Sequence, residues 1–176
     1  MKRKAACAAV LCTLVVAGCS SDSGKQLKYG EMATFSAKSG RSYGVTVMRV
    51  EKGDNSDLSA LSHPSDYAGD TPYYVHYSLT KTSDGSVQPD VSLDAADGST
   101  HLTMLSLLPS LDFSDPLHPK TQSFAKCPSS TDSLDKTAKG ESVSECVIFL
   151  AHQGTGDPTS VAMTQGKSNT AVATWK

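Results

Sequence analysis

Residues 71–80 read TPYYVHYSLT, and this stretch decides the fold class. Aromatic and branched side chains alternate through it, which is the period-two pattern of a half-buried β-strand. Alternation assigns the side chains to two faces, so we expect one face to point into a hydrophobic core. That face carries Tyr73, Val75, Tyr77 and Leu79, and the other carries Tyr74, His76, Ser78 and Thr80.

The alternating pattern of a β-strand recurs along the chain, and no helix-length amphipathic segment interrupts it. Glycine-containing turns separate the segments and predict two hairpins, 86–95 with 99–105 and 159–165 with 169–175. Pro89 is expected at a sheet edge or a bulge. The sequence therefore predicts an all-β antiparallel sandwich of about seven to eight strands. The other predicted strands are 43–50, 86–95, 100–105, 141–150, 159–165, 169–175 and 34–37.

Two long irregular segments, 53–71 and 106–140, separate these strands, and the first includes a predicted helical turn at 58–61. Within the core we expect Phe149 with Val147, or else Ile148 with Leu150, to meet the inward face of 71–80. We also expect Trp175, the only tryptophan, to be buried.

The order of these strands resembles that of a known group of domains. An early strand YGVTVMRV, an aromatic strand ending in KTSDG, a hairpin LDAADGSTHL and a late strand GESVSECVIF follow one another. This order is similar to the immunoglobulin-like sandwich of many bacterial lipoproteins of unknown function and of some secreted mycobacterial immune antigens. The resemblance covers 28–176 and implies no catalytic residues. The chain departs from the pattern at 81–83, where the usual asparagine is absent, and in the long segment 106–140.

The N-terminus has the pattern of an export signal. Residues 1–4 read MKRK, and the next fourteen residues, 5–18, contain no charge and are shorter than the roughly 20 that a membrane-spanning helix needs. Val16 to Cys19 resembles the bacterial lipobox, which implies cleavage before Cys19 and lipid attachment to its thiol. The predicted organisation is a signal peptide at 1–18, a lipidated N-terminus and flexible tether at 19–27, and the sandwich domain at 28–176.

This organisation predicts a protein anchored by lipid on the outer face of the cytoplasmic membrane. Two acyl chains hold a protein stably on a bilayer, whereas one binds only marginally. The alternatives are an ordinary secreted protein cleaved nearby and a single uncleaved anchor helix. Neither alternative explains why polar sequence begins immediately after Cys19.

Charge and cysteines limit the partners. The formal charge is −2, and loss of three basic residues with the signal peptide brings the mature chain to −5. No contiguous basic stripe is present, which argues against a nucleic-acid partner and against an anionic-lipid surface. Cys127 and Cys146 remain after export, and an exported pair predicts a disulfide. A metal-bound cysteine pair is the alternative, although no CxxC motif or paired histidine accompanies it.

Motifs for catalysis and cofactors are weak, so the sequence predicts neither an enzyme nor a cofactor or metal site. The motif SxxK occurs at Ser78, Ser123 and Ser133, but chance gives about two such matches and the companion SDN and KTG motifs are missing. His101 and Met104 are the copper-ligand candidates. Residues three apart on a strand face opposite sides, so we expect a solvent-facing histidine and a core methionine instead.

A candidate binding patch comprises Tyr67, Tyr74 and His76, because Tyr74 and His76 share the outward face of the predicted strand and exposed tyrosines favour recognition. The sequence thus favours a lipid-anchored, non-catalytic domain that binds an unknown protein or small ligand. A copper-handling lipoprotein and a cell-envelope enzyme are the two alternatives.

Overall fold

The computed structural model describes residues 24–61, 63–105, 124–128, 133–168 and 170–176. Cys19 and the predicted signal peptide lie outside these ranges. Within them the chain forms two packed sheets of five strands each, so the predicted all-β sandwich is confirmed. The strands are β1 (Lys25–Leu27), β2 (Met32–Ser36), β3 (Ser42–Lys52), β4 (Thr71–Lys81), β5 (Val91–Asp97), β6 (Thr100–His101), β7 (Thr103–Met104), β8 (Ser142–Ala151), β9 (Ser160–Gln165) and β10 (Ala173–Trp175).

The longest strands lie together in one sheet, ordered β2-β3-β4-β8-β7. Strand β4 is the stretch TPYYVHYSLT with one further residue, and it pairs antiparallel with β3 on one side and β8 on the other. The ladder places Tyr73 opposite Phe149 and Val75 opposite Val147. A register shift between Val47 and Arg49 leaves Met48 unpaired with β4.

The other sheet has the order β1-β10-β9-β5-β6. Its β1–β10 pair is parallel, while every other strand pair in the described ranges is antiparallel. Lys25 is in register with Ala173 and Leu27 with Trp175. The tether predicted to reach residue 27 is therefore too long, because residues 25–27 belong to the sheet.

The two ends of the sandwich differ in what they carry. At one end, which we call the entry end, the chain enters β1 and the connections 37–41, 82–90, 133–141 and 166–172 meet. The Gln165 amide nitrogen donates to the Ser36 carbonyl there, at 2.5 Å, and so links the two sheets. The opposite end, the far end, carries the connections 53–70, 98–99 and 152–159. Asp157 accepts hydrogen bonds there from Lys52 and from the Tyr73 hydroxyl.

Three predicted strands are shorter or more divided than expected. Strand β5 begins at Val91 and not at residue 86, because Pro89 offers no N–H to a ladder. The stretch 100–105 divides at buried Leu102, where the chain crosses from one sheet to the other. The Leu102 N–H donates to the Ala95 carbonyl in the sheet that contains β5, and the Leu105 N–H donates to the Ile148 carbonyl in the sheet that contains β4. Strand β10 is reduced to three residues.

The central core lies between the sheets and includes the predicted inward face of β4. Tyr73, Val75 and Leu79 are buried, and Tyr77 packs against them with partial exposure. Of the two alternatives for β8, Phe149 with Val147 faces this core. Trp175 is fully buried, as predicted.

Truncation of Leu79 should separate the two faces of β4 energetically. Leu79→Ala removes a buried side chain and should lower the free energy of unfolding by about 2–5 kcal/mol. Thr80→Ala is the matched control, since it loses only a surface hydrogen bond to Ser142 and should cost about 1 kcal/mol or less. Urea denaturation of both variants checks this. Equal, small shifts in midpoint would show that β4 does not bury this face.

Helical structure in the described ranges is limited to short 3₁₀ segments at Asn55–Ala60, Pro64–Tyr67 and Leu134–Lys136. The first of them contains most of the predicted turn at 58–61. No helix among the described residues is long and apolar enough to span a membrane.

Candidate functional site

The outer face of β4 is covered at the far end, so Tyr74 is not the exposed residue that alternation predicts. Its exposed fraction is 1%. The side chain does point away from the central core, as expected, but a second hydrophobic cluster packs over it. This outer cluster consists of Leu58, Tyr74, Leu105, Phe124, Cys127, Ile148 and Leu150, with Leu61, Tyr67 and Cys146 at its margin.

A disulfide between Cys127 and Cys146 holds the short segment 124–128 on this cluster. The two Cα atoms are 5.3 Å apart. Cys146 lies on the outer face of β8 opposite His76, and Phe124 and Cys127 pack beside Tyr74 and Ile148. The disulfide therefore closes the outer face from a part of the chain that is remote in sequence.

Asp57 organises the polar margin of the outer cluster. Its Oδ2 atom accepts hydrogen bonds from the Tyr74 hydroxyl at 3.0 Å, the Lys126 ammonium at 3.0 Å and the Asp54 N–H at 3.1 Å. Burial opposes the charge, yet these three donors hold the pKa of Asp57 below its usual range. Burial first, and then the Asp57 carboxylate, raise the pKa of the Tyr74 hydroxyl. The arrangement is an anionic acceptor with three fixed donors, which stabilises the loop over the sheet.

Gly53 is required at the entrance to this loop. A Cβ atom on Gly53 would lie 2.6 Å from the Tyr74 ring and 2.6 Å from Asp57 Oδ2. Neither atom is free to move, since the ring is buried and the carboxylate is fixed by its donors. The glycine lets the backbone pass directly over the tyrosine.

The predicted patch of Tyr67, Tyr74 and His76 is therefore not an exposed recognition surface. Tyr67 is half-buried at the margin of the outer cluster, at the far end. His76 is half-buried, with its Nε2 atom 3.4 Å from the Glu51 carboxylate. Burial, with a contribution from Arg49, lowers the pKa of His76, so the ring is neutral near pH 7.

The copper-ligand candidates lie apart from each other. His101 is in β6 and binds the Asp94 carboxylate at 2.5 Å, while Met104 is in β7 of the other sheet. The histidine is solvent-facing as expected, but Met104 is 50% exposed, so its predicted place in the core is wrong. No group of three histidine, cysteine or acidic side chains that could hold a metal ion occurs within the described ranges.

Two of the three SxxK matches can be placed, and neither forms a serine–lysine pair. Lys81 is buried, and its ammonium donates to the Asp135 and Thr137 carbonyls at 3.0 and 2.8 Å. Ser133 precedes a 3₁₀ turn that contains exposed Lys136. Ser123 lies outside the described residues.

An open groove of about 600 Å³ lies on the entry end, between the connections 37–41 and 82–90. The Arg41 guanidinium donates to the Ser86 carbonyl at 2.7 Å, and Lys38 pairs with Asp90 at 2.6 Å. The groove is a polar concavity with two exposed cations. Its lining is Lys38, Ser39, Arg41, Ser86, Gln88, Pro89 and Asp90.

Comparison with solved structures identifies a similar fold. The chain resembles the secreted protein MPT63 of Mycobacterium tuberculosis, with a TM-score of 0.57 and 19% identity, over 89% of this chain and 99% of that one. A Staphylococcus aureus protein provisionally described as a lipoprotein gives a TM-score of 0.43 and 11% identity, over 82% of this chain and 90% of that one. No protein-family model matches the chain, and no curated protein matches it. The likeness to MPT63 supports the immunoglobulin-like β-sandwich predicted from the sequence.

Sequence reasoning missed Asp57 and Lys126 at the far end and Lys38 and Arg41 at the entry end. The first pair is 69 residues apart in the chain, so no local pattern signals it. The second pair does have a signal, because AKSGR at 37–41 places two cations on either side of a glycine turn.

Proposed function

We propose that this chain is an exported lipoprotein whose β-sandwich is a non-catalytic binding domain. A basic start, a short apolar run and Cys19 after two small residues support lipid attachment at Cys19. The Cys127–Cys146 disulfide supports an oxidising location outside the cytoplasm. The partners implied are the membrane, through the lipid, and an unknown protein or small ligand.

The observation that connects the proposed anchor with a binding surface is the position of Gly24. Its neighbour Lys25 donates its N–H to the Val172 carbonyl at the entry end of the sandwich. Gly24 lies five positions after Cys19, and a fully extended chain of that length spans at most about 18 Å. An anchor at Cys19 therefore holds the entry end next to the bilayer. The eleven-residue strand β4 places the far end about 35 Å further away.

The far end is the surface that such an anchor presents to partners. The connection 53–70 at this end is fixed over the sheet by Asp57 and the outer cluster, so it offers a formed surface. The far-end connections 53–70, 98–99 and 152–159 contain five aspartates and neither lysine nor arginine, and two of the aspartates, Asp57 and Asp157, pair with Lys126 and Lys52 from other segments. Binding through this end would favour a partner with positive charge, because complementary charge accelerates encounter.

Site-specific photo-crosslinking in native membranes tests the binding surface. A photoreactive residue at exposed Ser65, in the far end, should give a discrete adduct with a protein or small ligand. The same residue at Ser92, an exposed position on the side of β5, is the control and should give none. Equal adducts at both positions, or none at Ser65, would refute binding through the far end.

Cys19→Ser should release the protein from the membrane. The variant lacks the thiol that takes the lipid, so no acyl chain anchors it. Alkaline washing of membranes, followed by immunoblotting, measures the retained fraction. Cys12→Ser, within the predicted signal peptide, is the control and should be retained like the wild type. Retention of Cys19→Ser at the wild-type level would contradict the lipobox assignment.

A further inference from the structure

We infer that the entry end is a second membrane contact, a basic surface that lies on an anionic bilayer and orients the anchored domain. The inference rests on the proposed lipid anchor, because the anchor is what brings this end to the membrane. The sequence argued against such a surface, since its basic residues form no contiguous stripe. The fold gathers them from separate segments.

Four cations lie in segments that meet at the entry end. Lys25 begins β1, Lys38 and Arg41 lie in the connection 37–41, and Lys167 lies in the connection 166–172. All four are exposed. These two connections contain no acidic residue.

Two of the four acidic residues in the entry-end connections, Asp135 and Glu141, lie in the connection that leads to β8. The other two, Asp84 and Asp90, lie in the connection 82–90, which contacts Arg41 and forms the other wall of the groove. Asp84 already pairs with Lys139 at 3.3 Å. Asp90 lines the groove and pairs there with Lys38. Exposed pairs of this kind are weak, so a lipid phosphate can compete for the lysine.

The groove gives this surface a place for a lipid headgroup. Lys38 and Arg41 line it from one wall, and an arginine binds phosphate oxygens through paired N–H donors. The two ends also differ in charge, since the far-end connections carry five aspartates, two of which, Asp57 and Asp157, pair with Lys126 and Lys52. An anionic bilayer attracts one end and repels the other, so the domain stands upright on its short tether.

Fluorescence quenching in vesicles tests the orientation. The lipidated protein, labelled at Ser39→Cys in the entry end, is reconstituted in phosphatidylcholine with or without phosphatidylglycerol, together with a headgroup-linked quencher. Quenching should be strong with phosphatidylglycerol, and should weaken in high salt and in phosphatidylcholine alone. A label at Ser99→Cys in the far end should stay unquenched throughout.

Two double variants distinguish an effect of the entry-end surface from an effect of the protein's net charge. A lysine near an anionic surface raises the membrane-binding constant about fivefold. Because Lys38 also pairs with Asp90, it should contribute less than this. Lys38→Gln with Lys167→Gln should therefore lower the binding constant for the surface contact about tenfold. Lys28→Gln with Lys176→Gln makes the same charge change away from the entry end and should alter nothing. Equal loss in both double variants, or quenching at Ser39 that ignores phosphatidylglycerol, overturns the inference.

Mass spectrometry of Cys19 distinguishes failure of the anchor from failure of the orientation. A lipidated chain that shows no preference for phosphatidylglycerol refutes the basic surface and leaves the anchor intact. If Cys19 carries no lipid, the proposed anchor is wrong, and sedimentation of the mature chain with the same two vesicle types then tests the basic surface alone. Equal sedimentation with both vesicle types would refute it.

Discussion

Trp175→Ala should destabilise the domain by about 3–5 kcal/mol, the range typical of a buried aromatic truncation. The indole is fully buried in the central core, on a strand that pairs with β9 on one side and β1 on the other. Its N–H donates to the Glu31 carbonyl at 2.8 Å, in the turn before β2. The truncation therefore leaves a cavity and removes a hydrogen bond to the turn that connects β1 of one sheet to β2 of the other. Domains of this size are stable by about 5–15 kcal/mol, so the loss is a large fraction of the total.

Circular dichroism during urea denaturation measures this loss, since the variant lacks the only tryptophan and has no indole fluorescence. Thr174→Ala, one position earlier and half-buried, is the control and should cost about 1 kcal/mol or less. Trp175→Phe keeps most of the volume and should fall between the two, which preserves the test if Trp175→Ala does not fold. Equal midpoints for all three variants would place the indole outside the core.

The double variant Cys127→Ser with Cys146→Ser should lose about 3 kcal/mol, the value expected for opening a loop of this length. The structural change in the folded domain should also be confined to the outer cluster. Segment 124–128 would no longer be held on the outer cluster, so Tyr74 and Ile148 would become accessible while the central core stays packed.

Hydrogen exchange of the Leu105 amide, which donates to the Ile148 carbonyl, reports this opening directly. The Val172 amide, which donates to the Met163 carbonyl between β9 and β10, is the internal control. Its exchange should still occur only through global unfolding of the domain. Reduced wild-type protein should behave like the double variant. Unchanged exchange at Leu105 after reduction would mean that the disulfide does not hold the outer cluster closed.

The alternation in 71–80 predicted the two faces of β4 correctly, but it could not predict what covers the second face. Alternation is a local property and assigns a side chain to a side of the sheet. Burial of Tyr74 depends on Leu58 and on Phe124, which reach it from segments 16 and 50 residues away in the chain. The candidate patch failed for this reason, and the same limit applies to Lys38 and Arg41, whose setting depends on distant turns.

Strand ends were predicted less well than strand centres. A short polar strand such as β1 has no hydrophobic pattern, and it exists because β10 presents a free edge to it. The side-chain pattern of 100–105 predicts one strand, but the backbone hydrogen bonds on either side of Leu102 go to two different sheets. Met104 was assigned to the core for that reason, and the crossover instead leaves it exposed on the edge strand β7.

The parallel pairing of β1 with β10 determines how this domain would bear mechanical load. A force on Gly24 directed out of the entry end acts along the axis of β1. The hydrogen bonds that join β1 to β10, from the Lys25 N–H to Val172 and from the Lys176 N–H to Leu27, run across that axis. Such a force loads these bonds together in shear and cannot open them one at a time like a zipper. A domain pulled between a bilayer and a bound partner would therefore resist extension at its first strand, the point where the tension enters it.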